Sequence, residues 1–208
     1  MVNIIRRGYN WCKRFRYRCG YGVHSPSDFF LITSVIYESN PYYAYETLSN
    51  IRLYNKKIHY RRKVYKLIFR LINYYQPSSI IDFSDDDNIT LQYMHAAAPH
   101  TKIYSIKEDN SSDVIEQFRK KISLIDKIGL LHIGSTTNYE LVVENALSHI
   151  SHNSVIIVGG IYSSREKREW WKKLCNDSRC IITFDLYDVG IIMFPQKRYK
   201  QNYIVNFL

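Results

Sequence analysis

The sequence predicts an α/β fold in which a mostly parallel sheet is covered by helices on both faces. Short apolar runs alternate with longer segments whose apolar residues recur every three or four positions, as in βαβ units. The last apolar runs follow one another with almost no spacer, which predicts a C-terminal antiparallel hairpin. With 208 residues and 46% hydrophobic content, the chain can bury a sizeable core.

The predicted elements follow in order along the chain. Pro26 after Ser25 marks the start of a helix over 26–37, and a helical repeat of apolar residues marks another over 60–75, which Pro77 ends. Strands are then predicted at 79–83, 102–106, 128–133, 154–158, 180–186, 189–194 and 203–207. The helices between them are predicted over 88–98, 111–124, 138–150 and 164–175.

The positive charge is concentrated in the first third of the chain. Residues 1–75 contain fourteen Lys or Arg and three acidic residues, a net charge of +11, whereas residues 76–208 have a net charge of −1. This shift in composition predicts a basic, aromatic-rich helical N-terminal segment over 1–75, followed by an α/β domain over 76–208.

Aromatic residues alternate with basic residues near the N-terminus. This combination suits single-stranded nucleic acid, an acidic protein, an anionic membrane surface, or a helix whose aromatic side packs on the domain. A basic segment can also simply keep the protein soluble. The candidate polyanion-binding residues are Arg6, Arg7, Lys13, Arg14, Arg16, Arg18, Arg61, Arg62 and Lys63.

Composition excludes several classes of protein. No apolar run is long enough to span a membrane, and the first residues have no apolar stretch of signal-peptide length, so a cytoplasmic location is predicted. The spacings of Cys12, Cys19, Cys175 and Cys180 match no common zinc or redox pattern, so free thiols are predicted. The sequence leaves the oligomeric state open.

Several segments carry a resemblance to a known family. They are GVHSPSDFF (22–30), IIDFSDDDNITL (80–91), IYSIKED (103–109), LLHIGSTTNYE (130–140), VIIVGGIYSSREKREWW (155–171) and FDLYDVGIIMF (184–194). In this order they resemble the class I S-adenosylmethionine-dependent methyltransferases, in particular a small O-methyltransferase-like bacterial group. The resemblance covers nearly the whole chain and implies a Rossmann-like sheet that closes with a hairpin.

The resemblance also implies cofactor-binding positions, most of which carry the wrong residue. They are Asp82, Ser84, Asp85, Asn88, Lys107 and Gly134. Asp82 matches the family's acid, but a serine, three aspartates and an asparagine replace a glycine-rich loop. Each aspartate would repel the carboxylate of S-adenosylmethionine by roughly 3 kcal/mol at ~5 Å and an effective dielectric of ~20. Lys107 stands where an acid would accept from the ribose hydroxyls, and a lysine cannot accept.

Two further departures concern metal binding and length. Gly134 begins the segment where Asp-Gly-x-His is expected, and Gly159 and Gly160 replace an Asp-Asp pair that helps bind a divalent ion in metal-dependent relatives. No metal site is therefore predicted. Residues 107–127 have room for one helix, so the family's third strand is predicted to be missing.

These departures predict a methyltransferase-fold pseudoenzyme with a decayed S-adenosylmethionine site and no cofactor. It would act by binding a partner, either an acidic protein or a nucleic acid. One alternative is an active S-adenosylmethionine-dependent methyltransferase with an atypical pocket. Another is a nucleic-acid-binding module that uses the basic N-terminal face. His132, inside a predicted strand, is expected to be a core histidine with satisfied hydrogen bonds.

Overall fold

A computed structural model describes residues 4–54, 59–84, 88–107 and 113–208. In these residues a seven-stranded sheet lies between two layers of helices, which confirms the predicted α/β fold class. None of the helices in these ranges is long and apolar enough to cross a membrane.

The strands follow the order β2-β1-β3-β4-β6-β5-β7 across the sheet. Strands β1 to β4 run parallel, β6 is antiparallel to both β4 and β5, and β7 runs parallel to β5. Their bounds are β1 Ser79–Ser84, β2 Lys102–Lys107, β3 Ile128–Ile133, β4 Ile150–Gly159, β5 Ile182–Asp185, β6 Val189–Met193 and β7 Gln201–Ile204.

The helices precede, separate and cover these strands. They are α1 Ile4–Lys13, α2 Pro26–Phe30, α3 Ala44–Tyr54, α4 Arg62–Tyr75, α5 Asn88–Ala97, α6 Val114–Ser123, α7 Tyr139–Leu147 and α8 Arg165–Asn176. Phe15–Tyr17 forms a short 3₁₀ turn, and the chain after α2 continues as a π-helix over Leu31–Ile36. The wider turn appears in the bond from the Tyr37 N–H to the Ile32 carbonyl, five residues back.

Alternate residues of the sheet face two different apolar layers. Ile80 and Leu130 belong to a cluster with the helices of the N-terminal third, whereas Ile81 and Leu131 belong to a cluster with α6, α7 and α8. Helix α4 buries its apolar stripe in the first cluster. The helices that precede β1 therefore share a core with the sheet.

The ends of the sheet agree with the prediction, with one shift. The hairpin of β5 and β6 is confirmed, and among the described residues no strand lies outside β2, as the short segment 107–127 predicts. The last strand was predicted at 203–207 and is found at Gln201–Ile204. The Val205 N–H still donates to the Asp185 carbonyl of β5, but the Asn206 N–H donates to the Tyr17 carbonyl instead, so pairing with β5 stops there. Val205 and Phe207 are buried in the first cluster.

Candidate functional site

Three parallel strands end side by side at one edge of the sheet. Strands β1, β3 and β4 finish at Ser84, Ile133 and Gly159, and the antiparallel β6 begins opposite Gly159 at Val189. We call this region the carboxyl edge. Open α/β sheets bind their ligands outside the carboxyl ends of their strands, so this is where a functional site is expected.

A chain of hydrogen bonds is buried just inside the carboxyl edge. Asp82 and His132 are register partners on β1 and β3, and Asp82 Oδ1 lies 2.5 Å from His132 Nδ1. Ser84 Oγ donates to Asp82 Oδ2 at 2.9 Å, and the Tyr60 hydroxyl lies 3.1 Å from His132 Nε2. Asp82 and His132 are fully buried. Both oxygens of this carboxylate thus have partners inside the protein, as burial of a charge requires.

Tyr60 reaches this chain from the segment before α4, and aromatic neighbours hold it there. Its backbone N–H donates to the Tyr65 hydroxyl at 3.1 Å, and its ring meets the rings of Tyr65 and His132 edge-on. Tyr65 in turn stacks on Tyr93 of α5. Tyr60 is 8% exposed, so its hydroxyl is directed into the sheet and away from solvent.

Two glycines at the carboxyl edge leave space that other side chains fill. A Cβ added at Gly159 would collide with the Tyr60 hydroxyl, and a Cβ added at Gly134 would lie 2.6 Å from the Ser84 Cβ. Neither position has a positive φ. These glycines are therefore required by close packing, and the packed groups occupy the positions where the resemblance implies Asp side chains.

The structure brings together some of the predicted cofactor residues. Asp82, Ser84 and Gly134 are in mutual proximity, and Lys107 is the register partner of Ser84 at the exposed end of β2. Asn88 is exposed at the start of α5. Asp85 lies outside the described residues.

His132 and Tyr60 differ in what the sequence could reveal about them. The core role expected for His132 is confirmed by its burial and its two partners. Tyr60 carries no comparable signal in the sequence, because no local pattern links it to Gly159, a residue far along the chain.

Helix α1 is fastened beside the carboxyl edge by two arginines. Arg7 forms a bidentate ion pair with Asp188, with distances of 2.6 and 2.8 Å. Arg14, 7% exposed, donates to Asp185 Oδ1 at 2.7 Å and to the Tyr162 hydroxyl at 3.0 Å. The guanidinium of Arg14 also lies over the ring of Tyr162. Burial, and then the charge of Asp185, raise the pKa of Tyr162 to about 12.

The predicted polyanion-binding residues are therefore divided by the fold. Arg7 and Arg14 are neutralised by internal carboxylates, and Lys63 donates to the Phe207 carbonyl, while burial lowers its pKa to about 8. The remaining candidates are exposed; these are Arg6, Lys13, Arg16, Arg18, Arg61 and Arg62.

The strand order and the carboxyl edge define the class of fold: the chain has the fold of the class I S-adenosylmethionine-dependent O-methyltransferases. The SAH-bound methyltransferase PaMTH1 from Podospora anserina is 12% identical, over 94% of this chain and 99% of that one, with a TM-score of 0.55.

A putative caffeoyl-CoA O-methyltransferase from Staphylococcus aureus is 13% identical, over 82% of this chain and 100% of that one, with a TM-score of 0.54. The O-methyltransferase from Bacillus cereus in complex with SAH is 9% identical, over 74% and 92%, with a TM-score of 0.53. No protein-family model and no curated protein sequence matches the chain. Identities this low establish the fold alone, so function is argued from the site.

Proposed function

We propose that this protein is a methyltransferase-fold pseudoenzyme whose S-adenosylmethionine site is closed by its own side chains, and that it acts by binding an anionic partner. The observation that carries the first part is the position of Tyr60. Its hydroxyl takes the space of a side chain at Gly159 and is hydrogen-bonded to His132. Opening this space for a ligand would leave the buried His132 nitrogen without that partner.

The described residues fit the cofactor poorly at each point of contact. The amino-acid end of S-adenosylmethionine needs backbone that no side chain covers beside β1. Ser84 instead packs against Gly134 there and donates a hydrogen bond to Asp82. The ribose needs an acceptor at the end of β2, where Lys107 offers only a donor. Asp82 itself has both oxygens engaged. These residues support a closed site and assign no methyl-transfer step to this chain.

The buried hydrogen-bond chain also gives an active enzyme some support. A Tyr–His–Asp series resembles a proton relay, and several proteins of this fold are described as bound to SAH. An active transferase would require Tyr60 to leave its place beside Gly159 so that cofactor and substrate could enter. A closed site therefore requires Tyr60 to stay beside Gly159, and an active transferase requires it to move away.

Calorimetric titration separates these two functions. For the unmodified chain we expect no heat of binding with S-adenosylmethionine or S-adenosylhomocysteine up to about 1 mM. The Tyr60→Ala variant, which empties the space beside Gly159, shows whether that side chain alone blocks entry. A dissociation constant of about 10 μM or tighter for the unmodified chain would overturn the closed-site proposal.

The second part of the proposal follows from the exposed cations of the N-terminal segment. Arg6, Lys13, Arg16 and Arg18 have no acidic residue near them in sequence, and the first acid of the chain, Asp28, is buried. An uncompensated surface of this kind attracts polyanions. Binding to an anionic polymer should therefore weaken steeply with salt and with neutralisation of these four side chains.

A further inference from the structure

Helix α1 is oriented opposite to an ordinary surface helix. Its polar residues Arg7 and Asn10, and Arg14 directly after its last residue, face the protein and bond to Asp188, Tyr187 and Asp185. Apolar residues on its other side face solvent, with Ile5 78% and Tyr9 60% exposed. Surface helices normally bury their apolar side. An apolar helix side that is exposed to solvent therefore indicates a surface that another molecule covers.

The apolar surface continues past the end of α1. Trp11 and Phe15 are exposed and pack edge-to-face, with ring centroids 5.4 Å apart, and Tyr21 is largely exposed beyond them. Together with Ile5 and Tyr9, these side chains form what we call the outer face. Four exposed cations accompany it: Arg6, Lys13, Arg16 and Arg18.

Two of these four cations, Lys13 and Arg18, lie against rings of the outer face. The Lys13 ammonium is 4.6 Å from the centroid of the Tyr9 ring, and the Arg18 guanidinium lies over both Trp11 and Phe15. These are cation–π contacts, and the charged groups that make them remain on the exposed side of the segment. No acidic residue occurs in the first 27 positions to compensate them.

We propose that the outer face docks on an anionic lipid bilayer. Apolar side chains interleaved with basic ones are the composition by which a helix lies in the headgroup layer. Two features favour lipid over single-stranded nucleic acid. Ile5 is aliphatic and cannot stack on a base, and basic groups already cover ring faces that bases would need. A second copy of this face is disfavoured because it carries the same charge.

This inference rests on the anionic-partner part of the proposed function and is independent of the closed cofactor site. Arg7 and Arg14 keep α1 in a fixed position, which docking through a formed surface requires. Because Arg7 and Arg14 hold the helix on the body of the protein, the outer face is presented as a formed surface. Each cation near an anionic bilayer should strengthen binding about fivefold, and the apolar side chains should add to this.

The test is co-sedimentation of the full chain with vesicles of phosphatidylcholine alone or with about 30 mol% phosphatidylglycerol. We expect binding to the anionic vesicles only, with a strong dependence on salt. Ile5→Ser with Tyr9→Ser should weaken binding at least about tenfold at unchanged net charge. Changing Arg6, Lys13, Arg16 and Arg18 all to Gln should weaken it by several hundredfold, at about fivefold for each cation.

The matched control changes four exposed lysines elsewhere to Gln; they are Lys120 and Lys121 on α6 and Lys172 and Lys173 on α8. This control should bind within about twofold of the unmodified chain, and thermal melts should show that all variants fold. Absence of binding to anionic vesicles, equal loss in the control, or full binding by the Ile5 and Tyr9 double variant would overturn the inference. Binding of a short single-stranded RNA without vesicle binding would also overturn it, while leaving the anionic-partner proposal intact. Failure of both arms would remove that proposal as well.

Discussion

The N-terminal third of the chain contributes side chains to both the carboxyl edge and the outer face, with opposite results. At the carboxyl edge that segment contributes Tyr60, which is buried and hydrogen-bonded to His132. On the outer face it leaves Ile5 and Tyr9 in solvent. The same segment thus buries one aromatic side chain against the sheet and exposes others, and our proposal assigns interaction to the exposed set.

The basic residues show the same contrast within a single helix. Arg6 and Arg7 are neighbours in sequence, yet Arg7 is paired with Asp188 while Arg6 is exposed. A positive net charge therefore overstates the number of cations available to a partner. If Arg7 and Arg14 are structural and Tyr60 fills the carboxyl edge, substitutions at these places should lower stability in a graded order.

The largest effect is expected at the buried cation. Arg14→Ala leaves Asp185 without its ion-pair partner, and such a change typically costs about 3–5 kcal/mol of unfolding free energy. Urea denaturation measures this cost. Arg16→Ala, which removes an exposed arginine two residues away, should change the same quantity by less than about 0.5 kcal/mol. Equal costs for the two variants would contradict the division into structural and exposed cations.

A smaller effect is expected at the filled carboxyl edge. Gly159→Ala places a methyl group against the Tyr60 hydroxyl, and overpacking of this kind costs about 1–3 kcal/mol. In a Tyr60→Ala background the same change should cost close to nothing, because the obstructing side chain is gone. A double-mutant cycle measured by denaturation gives this coupling directly. Additive costs would show that Tyr60 does not occupy the space beside Gly159.

The smallest effect concerns the pH dependence of stability. Burial lowers the pKa of Lys63 in the folded protein to about 8, from an ordinary value of 10.5. Between these values the unfolded chain binds more protons at Lys63, so its contribution to stability increases as pH rises through this window. The stability of the unmodified chain relative to Lys63→Met should therefore increase from pH 7 to pH 10. Parallel curves for the two proteins would show that Lys63 is not buried.

The sequence could predict the strands because each carries its own local signal. The run over 128–133 predicts β3 at its observed bounds, and its apolar residues are buried as expected. The segment 107–127 predicts that a strand is missing because it is long enough for one helix and too short for a further strand as well. The π-helix at Leu31–Ile36 carries no comparable local signal.

The contacts that close the site could not be predicted in this way. Tyr60 meets Gly159 from about half the length of the chain away, and Arg14 meets Asp185 across most of it. In the sequence, glycine at position 159 indicates that a metal-binding aspartate is missing. In three dimensions the Tyr60 side chain fills that space. The sequence therefore shows which chemistry is missing and leaves open what replaces it.

The central claim is that Tyr60 and Ser84 fill the carboxyl edge beside Gly159 and Gly134 and so close it to S-adenosylmethionine. Its most direct test is a crystal structure of the unmodified chain grown with an excess of S-adenosylhomocysteine. We predict that the Tyr60 hydroxyl will lie beside Gly159 within hydrogen-bond distance of His132, with no nucleoside at the carboxyl edge. Density for the nucleoside between Asp82 and Gly134, with Tyr60 displaced, would contradict the claim.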